Sequence, residues 1–166
     1  MLRDRHLDRA GEMSASDEVL RVRQWLSRES DERAVLGWKG PASISAEGYK
    51  HREERECGVS DAAQALALLQ ALGYEVVHAI DRYVELYELD DAVARLEWYP
   101  RMDVLVEIEG TPAGIERIIA AAGLARAVCL PEALRAFAAR FESRTGRPAV
   151  LAEADLVGEP PSWRAT

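Results

Sequence analysis

The feature that most constrains this chain is charge placed at alternate positions within strand-like segments. In LRVR (20–23), Arg21 and Arg23 stand two apart, so a strand carries both on one face. In AVLGWKG (34–40), Lys39 shares a face with Gly37 and Val35. In YKHREERE (49–56), alternation puts Lys50, Arg52, Glu54 and Glu56 together. In AIDRY (79–83), Arg82 stands amid apolar neighbours. In VLVEIEG (104–110), Val104, Val106 and Ile108 form one face, and Leu105, Glu107 and Glu109 the other. Residues two apart on a strand are separated by roughly 6.6 Å along its axis. A triphosphate, or a divalent ion held by carboxylates, has that scale.

Taken singly, each segment is what a solvated strand face looks like, and a dense run of charges is the usual protection of an exposed edge. Taken together they have a different consequence. Cationic strands and a carboxylate strand can share one barrel-like sheet whose apolar faces lie outward under helices. That inverts the ordinary barrel interior and makes chemical sense around a charged ligand.

The order of elements supports such a sheet. EVLRVRQWL (18–26) and AVLGWKG (34–40) alternate on either side of the polar turn SRESDE (27–32), the pattern of an antiparallel hairpin. HLD (6–8) closes an earlier strand, and PASISAEG (41–48) has loop composition. YKHREERECGV (49–59) has period two and is heavily charged. SDAAQALALLQALGY (60–74) changes to helical spacing, with Ser60 or Asp61 as cap and Gly73 at its end. Strand character returns over 74–91 and continues from Val93 to Trp98 beyond Asp90-Asp91. PRMD (100–103) turns the chain into 104–110. Helices are predicted over 111–124 and 131–146, the second with Pro131 in its first turn and Gly146 at its end. Strands, one helix, more strands, then helices indicate an α+β fold with an antiparallel sheet. No composition shift divides the chain, so one domain is expected over 1–157, with an irregular tail at 158–166.

The 166 residues are enough for a sizeable core, and 48% apolar with 30% charged residues fits a globular protein. The net charge of −8 argues against a general binder of nucleic acid or membrane surface, though not against a local cationic pocket. No apolar run is long enough for a membrane span, and the N-terminus has no signal-peptide pattern. Cys57 and Cys129 form no metal-ligand spacing. A cytoplasmic location is the expectation.

Arg and Lys neutralise phosphate oxygens, and carboxylates at i and i+2 suit Mg2+ or Mn2+, hard cations that prefer oxygen. Phosphoryl transfer needs mainly positioning and charge neutralisation, so no Ser, Cys or His nucleophile is required. His6, His51 and His78 read as bystanders, and no Gly-rich phosphate loop of the Walker type is present.

The succession LRVR (20–23), GWKGP (37–41), YKHREERE (49–56), LLQALGY (68–74), Arg82 and VEIEG (106–110) resembles the CYTH superfamily, the triphosphate tunnel metalloenzymes. That group includes class IV adenylyl cyclases, thiamine triphosphatases and inorganic tripolyphosphatases. The resemblance runs from about residue 3 to about residue 150 and rests on order and spacing, since each short motif is weakly specific. It implies a tunnel of antiparallel strands, an α+β antiparallel β-barrel with helices packed outside. It implies triphosphate contacts from Arg21, Arg23, Lys39, Arg52 and Arg82, and Mg2+ or Mn2+ bound by Glu107 and Glu109. Glu54 would line the tunnel. Glu97 falls where the family usually carries an aspartate that places metal or attacking water, so both are catalytic candidates. RDRHLD (3–8) is similar to a family strand that reads Asp–x–Tyr–Phe–Asp. The family's Glu–x–Glu–x–Lys strand has no counterpart here, and Ile80 stands where a lysine often precedes the arginine matching Arg82. The expected partner is a small-molecule triphosphate, with neither nucleic acid nor membrane. A tunnel lacking that strand exposes a sheet edge, which leaves three alternatives: a start upstream of Met1, a degenerate member, or a second copy of the chain, as a homodimer, that supplies the edge. The implied activity is a metal-dependent triphosphate hydrolase. The alternatives are a class IV-type adenylyl cyclase and a triphosphate-binding module without catalysis.

Overall fold

The computed structural model describes residues 1–27 and 32–164. The polar turn expected at 27–32 therefore lies, at 28–31, outside the described residues. The fold class is α+β with antiparallel ladders, as the alternation predicts. Contacts divide the chain into two compact units, Met1–Asp81 and Arg82–Thr166, at a boundary inside one strand that no composition shift marks.

The first unit holds β1 (Leu2–Asp8), α1 (Glu12–Ala15), β2 (Val19–Trp25), β3 (Arg33–Lys39), β4 (Ser43–Ile44), β5 (Lys50–His51), β6 (Glu54–Val59) and α2 (Ala62–Ala71). It also holds the first half of β7 (Glu75–Leu89). Its strand order is β6-β3-β2-β1-β7, with β4 and β5 as a separate short pair. β1, β2, β3 and β6 pair antiparallel in turn. Asp61 caps α2 by accepting from the backbone N–H of Ala63 and Gln64 at 2.8 and 3.0 Å. Gly73, at φ 87°, ends the helix, and the Tyr74 N–H reaches back to the Leu69 carbonyl at 3.0 Å. The cap and stop read from the sequence are both in place. α2 packs against β2 and β3.

Two expectations in this unit need correction. The segment 49–59 is not one alternating strand: it breaks at Arg52-Glu53 between β5 and β6, so Lys50 and Arg52 do not continue the face of Glu54 and Glu56. The loop 41–48 contains β4, whose partner is the displaced β5.

The second unit holds the rest of β7, β8 (Ala92–Trp98), β9 (Leu105–Gly110), α3 (Pro112–Ala121) and α4 (Leu134–Thr145). β7 and β8 meet through a two-residue turn, with Leu89 opposite Ala92 and Asp90 left-handed at φ 53°. β8 pairs β9 antiparallel. Thr111 caps α3 by accepting from the Gly114 N–H at 3.1 Å, and Pro112 occupies its first turn. Ile118 of α3 packs on Ala92 and Ala94 with Ile108 beside them, which identifies the helix-covered face of the ladder. Gly114 permits that approach: a Cβ there would stand 2.8 Å from the Ala92 Cβ. α4 begins at Leu134 rather than in the turn of Pro131, so the proline precedes the helix instead of opening it. Gly146, at φ 68°, ends α4 as predicted. The tail expected to be irregular includes a short 3-10 turn, Ser162–Arg164, tied to the Tyr99 and Pro100 carbonyls through the Ser162 hydroxyl and N–H.

Candidate functional site

Register decides which side chains share a face, and each unit presents one charged face. In the first unit Asp4 lies opposite Arg23, His6 opposite Arg21, Arg21 opposite Gly37, Gly37 opposite Glu56, and Lys39 opposite Glu54. Arg21, Arg23, Lys39 and Glu54 therefore stand on one side of the ladder, while Val22 and Leu36 stand on the other.

These charges are not solvated decoration. Asp4, Arg21 and Arg23 are 1%, 6% and 9% exposed, so the group is desolvated. Arg23 forks onto Asp4, with Nε donating to Oδ1 at 2.7 Å and Nη2 to Oδ2 at 2.8 Å. Arg21 reaches across Gly37 to Glu56, Nη2 to Oε1 at 3.0 Å, and its Nη1 lies 4.0 Å from Asp4. The missing side chain at Gly37 makes room for that reach: a Cβ there would stand 3.3 Å from Glu56 Oε1 and 3.6 Å from Arg21 Nε. The Nε of Arg21 is buried without a hydrogen-bond partner among the described residues, so a cationic donor faces this cluster unused. Lys39 Nζ pairs with Glu54 at 2.6 Å. Arg52 is engaged elsewhere. It donates to the Asp17 and Gly40 carbonyls at 2.6 Å each and to the Asp17 carboxylate at 2.8 Å, fastening the chain beside the break between β5 and β6. The Arg52 bonds hold Asp17 below the ordinary carboxylate range, second to the bond from the Ala42 N–H.

In the second unit Glu107 lies opposite Arg95, Glu109 opposite Val93, and Leu105 opposite Glu97. Val84 lies opposite Glu97 across the other ladder. The carboxylates of β9 thus share a face with Arg95 and Glu97, and that face is opposite the one packed under α3. Glu97 and Arg82 are 4% and 7% exposed and meet at 3.1 Å. The Tyr99 hydroxyl donates to the second Glu97 oxygen at 2.5 Å. Burial pushes the Glu97 carboxyl above its ordinary range, against the pull of Arg82. Burial also raises the Tyr99 hydroxyl well above its usual value, so it stays a donor.

Glu107 and Glu109, the candidate metal ligands, are both engaged by Arg95. A single nitrogen, Nη1, lies 3.1 Å from one carboxylate and 2.6 Å from the other. Among the described residues, no three His, Cys, Asp or Glu side chains gather in a way that would hold a metal ion. In kind, the two carboxylates fit a hard cation; in this arrangement a guanidinium stands at that point.

Three participants escaped the sequence reading. Asp4 lay within RDRHLD, but its pairing with Arg23 needs the β1–β2 register. Tyr99 and Arg95 were one residue types among many, and only the β7–β8–β9 ladder links them to the carboxylates.

No family model matches the chain, and no curated protein matches it. Solved structures do. A Pyrococcus horikoshii protein is 22% identical, covers 72% of this chain with 72% of its own, and superposes with a TM-score of 0.62. A second Pyrococcus horikoshii protein is 17% identical, with 82% and 80% covered and a TM-score of 0.61. A Vibrio parahaemolyticus protein described as a "putative adenylate cyclase" is 15% identical, with 82% and 78% covered and a TM-score of 0.64. The likeness is one of fold. It supports the α+β fold with an antiparallel sheet that the alternation implies. No helix among the described residues is long and apolar enough to cross a membrane.

Two outcomes follow from these faces. Asp4→Ala leaves Arg23 buried without its bidentate partner and should cost about 3–5 kcal/mol in urea unfolding, whereas Asp4→Leu combined with Arg23→Leu should cost far less. Equal losses would mean that the pair is not the desolvated unit described. The second outcome concerns pH. The folded Glu97 carboxyl binds its proton more tightly than the unfolded one, so stability falls as pH rises from about 4, the ordinary carboxylate value, through the raised folded value. Glu97→Gln cannot titrate. Its stability relative to the parent should therefore climb with pH across that window and level off above it, and a difference that declines with pH contradicts the assignment.

Proposed function

We propose that this chain binds a small-molecule triphosphate and, with Mg2+ or Mn2+, hydrolyses it. The observation that carries the reading is charge buried on sheet faces. A fold with no use for a polyanion gains nothing by desolvating Arg21 and Arg23 on one unit's ladder and Arg82 on the other's. The orphaned Nε of Arg21 adds a donor that an anionic oxygen would satisfy.

In the first unit, Arg21, Arg23 and Lys39 are the groups that would neutralise phosphate oxygens. Their carboxylate partners Asp4, Glu54 and Glu56 keep them from repelling one another before a ligand arrives. Glu54 is a lining group paired with Lys39, which it orients. Arg52 acts one step back, by fixing the backbone carbonyl next to Lys39. In the second unit, Glu107 and Glu109 would hold the metal, whose contribution when bound is to neutralise charge on phosphate oxygens. Arg82 holds Glu97 in place, and the Tyr99 hydroxyl fixes the other oxygen of that carboxylate. Glu97 is the candidate to orient and deprotonate an attacking water, and a raised proton affinity suits a general base.

The fold likeness to the Vibrio parahaemolyticus protein favours a second reading, cyclisation of a nucleoside triphosphate by attack of its own hydroxyl. The products separate the two. Hydrolysis releases orthophosphate, together with pyrophosphate from tripolyphosphate or with the diphosphate from an organic triphosphate, whereas cyclisation of a nucleoside triphosphate releases pyrophosphate and no orthophosphate. The chain incubated with Mg2+ or Mn2+ and each substrate should yield orthophosphate. Arg23→Ala should weaken triphosphate binding, and Glu107→Ala should remove mainly the metal dependence, each by roughly tenfold or more. Pyrophosphate release alone would move the assignment to the cyclase. Triphosphate binding without either product would leave a binding module, and no binding at all would end the triphosphate reading.

A further inference from the structure

The Arg95 guanidinium stands where the proposed function needs a cation. One nitrogen, Nη1, lies within 3.1 Å of Glu107 and 2.6 Å of Glu109, so a point of positive charge already bridges the two carboxylates. The arrangement is built rather than accidental. Arg95 is on β8 directly opposite Glu107 on β9, and its side chain is only about a quarter exposed. Burial works against its charge, yet Glu109 and Glu107 outweigh that and hold the guanidinium more firmly protonated than usual. With both carboxylates about half exposed, the pairing is one that a stronger cation can displace.

We propose that Arg95 is a built-in stand-in for the metal: a divalent cation entering between Glu107 and Glu109 displaces it, and the released guanidinium takes an anionic phosphate oxygen. This inference rests on the metal and triphosphate reading above and assigns that site its coupling. Without ligands, Arg95 offsets one of the two carboxylate charges. A divalent cation alone must expel Arg95 and leave a partly buried guanidinium without these two carboxylates, so it binds weakly. A triphosphate alone finds Arg95 engaged. When both are present, the cation satisfies the carboxylates and the phosphate satisfies Arg95, so each favours the other's binding.

Manganese binding, read from the loss of the free-ion EPR signal, tests this without relying on turnover. Arg95→Gln removes the competing charge and should bind Mn2+ roughly tenfold more tightly than the parent chain. Arg95→Lys keeps a cation and should stay close to the parent, which separates competition by charge from a loosened fold. Calorimetry with sodium tripolyphosphate supplies the reciprocal measurement: Mg2+ should strengthen tripolyphosphate binding to the parent chain, and Arg95→Gln should lose most of that gain. Equal Mn2+ affinities in the parent and Arg95→Gln, with Glu107→Gln abolishing binding, would overturn the role of Arg95 and leave the metal site standing. No Mn2+ binding in any variant would overturn the metal reading and this inference with it.

Discussion

Charge taken out of water is the constraint on which the rest of this structure depends. Asp4 and Arg23 are almost fully buried and meet through a two-pronged contact. Removing either leaves the other buried without its counter-charge. The neighbouring positions follow from this. Gly37 has no side chain because Arg21 must pass over it to Glu56. On the alternate positions of the same strand, Val22 is buried. The first unit is therefore two-sided, with the ionic pairs on one face, where buried Val35 lies opposite Arg23, and Val22 packed on the other.

The second unit uses the same device on different strands. Ala92, Ala94 and Ile108 lie under Ile118 of α3, and the alternate positions carry Arg95, Glu97, Glu107 and Glu109. Arg82 and Glu97 form a buried pair, and Arg95 meets the two half-exposed carboxylates of β9. Under the proposed function, a face that takes a polyanion would carry cations that repel one another when it is empty. Interleaved carboxylates offset that repulsion, and in the proposed function a metal ion would shift the balance toward the anion.

Much of the fold was legible because its signals are local. The cap at Asp61 and the stops at Gly73 and Gly146 sit where chemistry demands them. The alternation of 19–25 and 33–39 gave the β2–β3 pair. Errors arose where a short-range pattern persisted through a break. Alternation runs unbroken through 49–59, yet the ladder stops at Arg52-Glu53, because Arg52 is fixed to Asp17 and Gly40 instead. Pro131 was a plausible helix start, but α4 begins three residues later. In the candidate site, the charged positions could be read one strand at a time, whereas their partners could not. Asp4 with Arg23 and Arg95 with Glu107 are separated by 19 and 12 residues, and only register joins them. Loss of charge by pairing is thus the part of the site that a sequence hides.

The central claim is that the desolvated arginines of these faces exist to meet a polyanion. Arginine Nε–H resonances, followed by NMR as sodium tripolyphosphate and Mg2+ are added, address it directly. The account predicts saturable shifts at Arg21 and Arg23, with surface arginines such as Arg140 and Arg164 unmoved. Shifts confined to the surface arginines, with Arg21 and Arg23 unchanged, would contradict it.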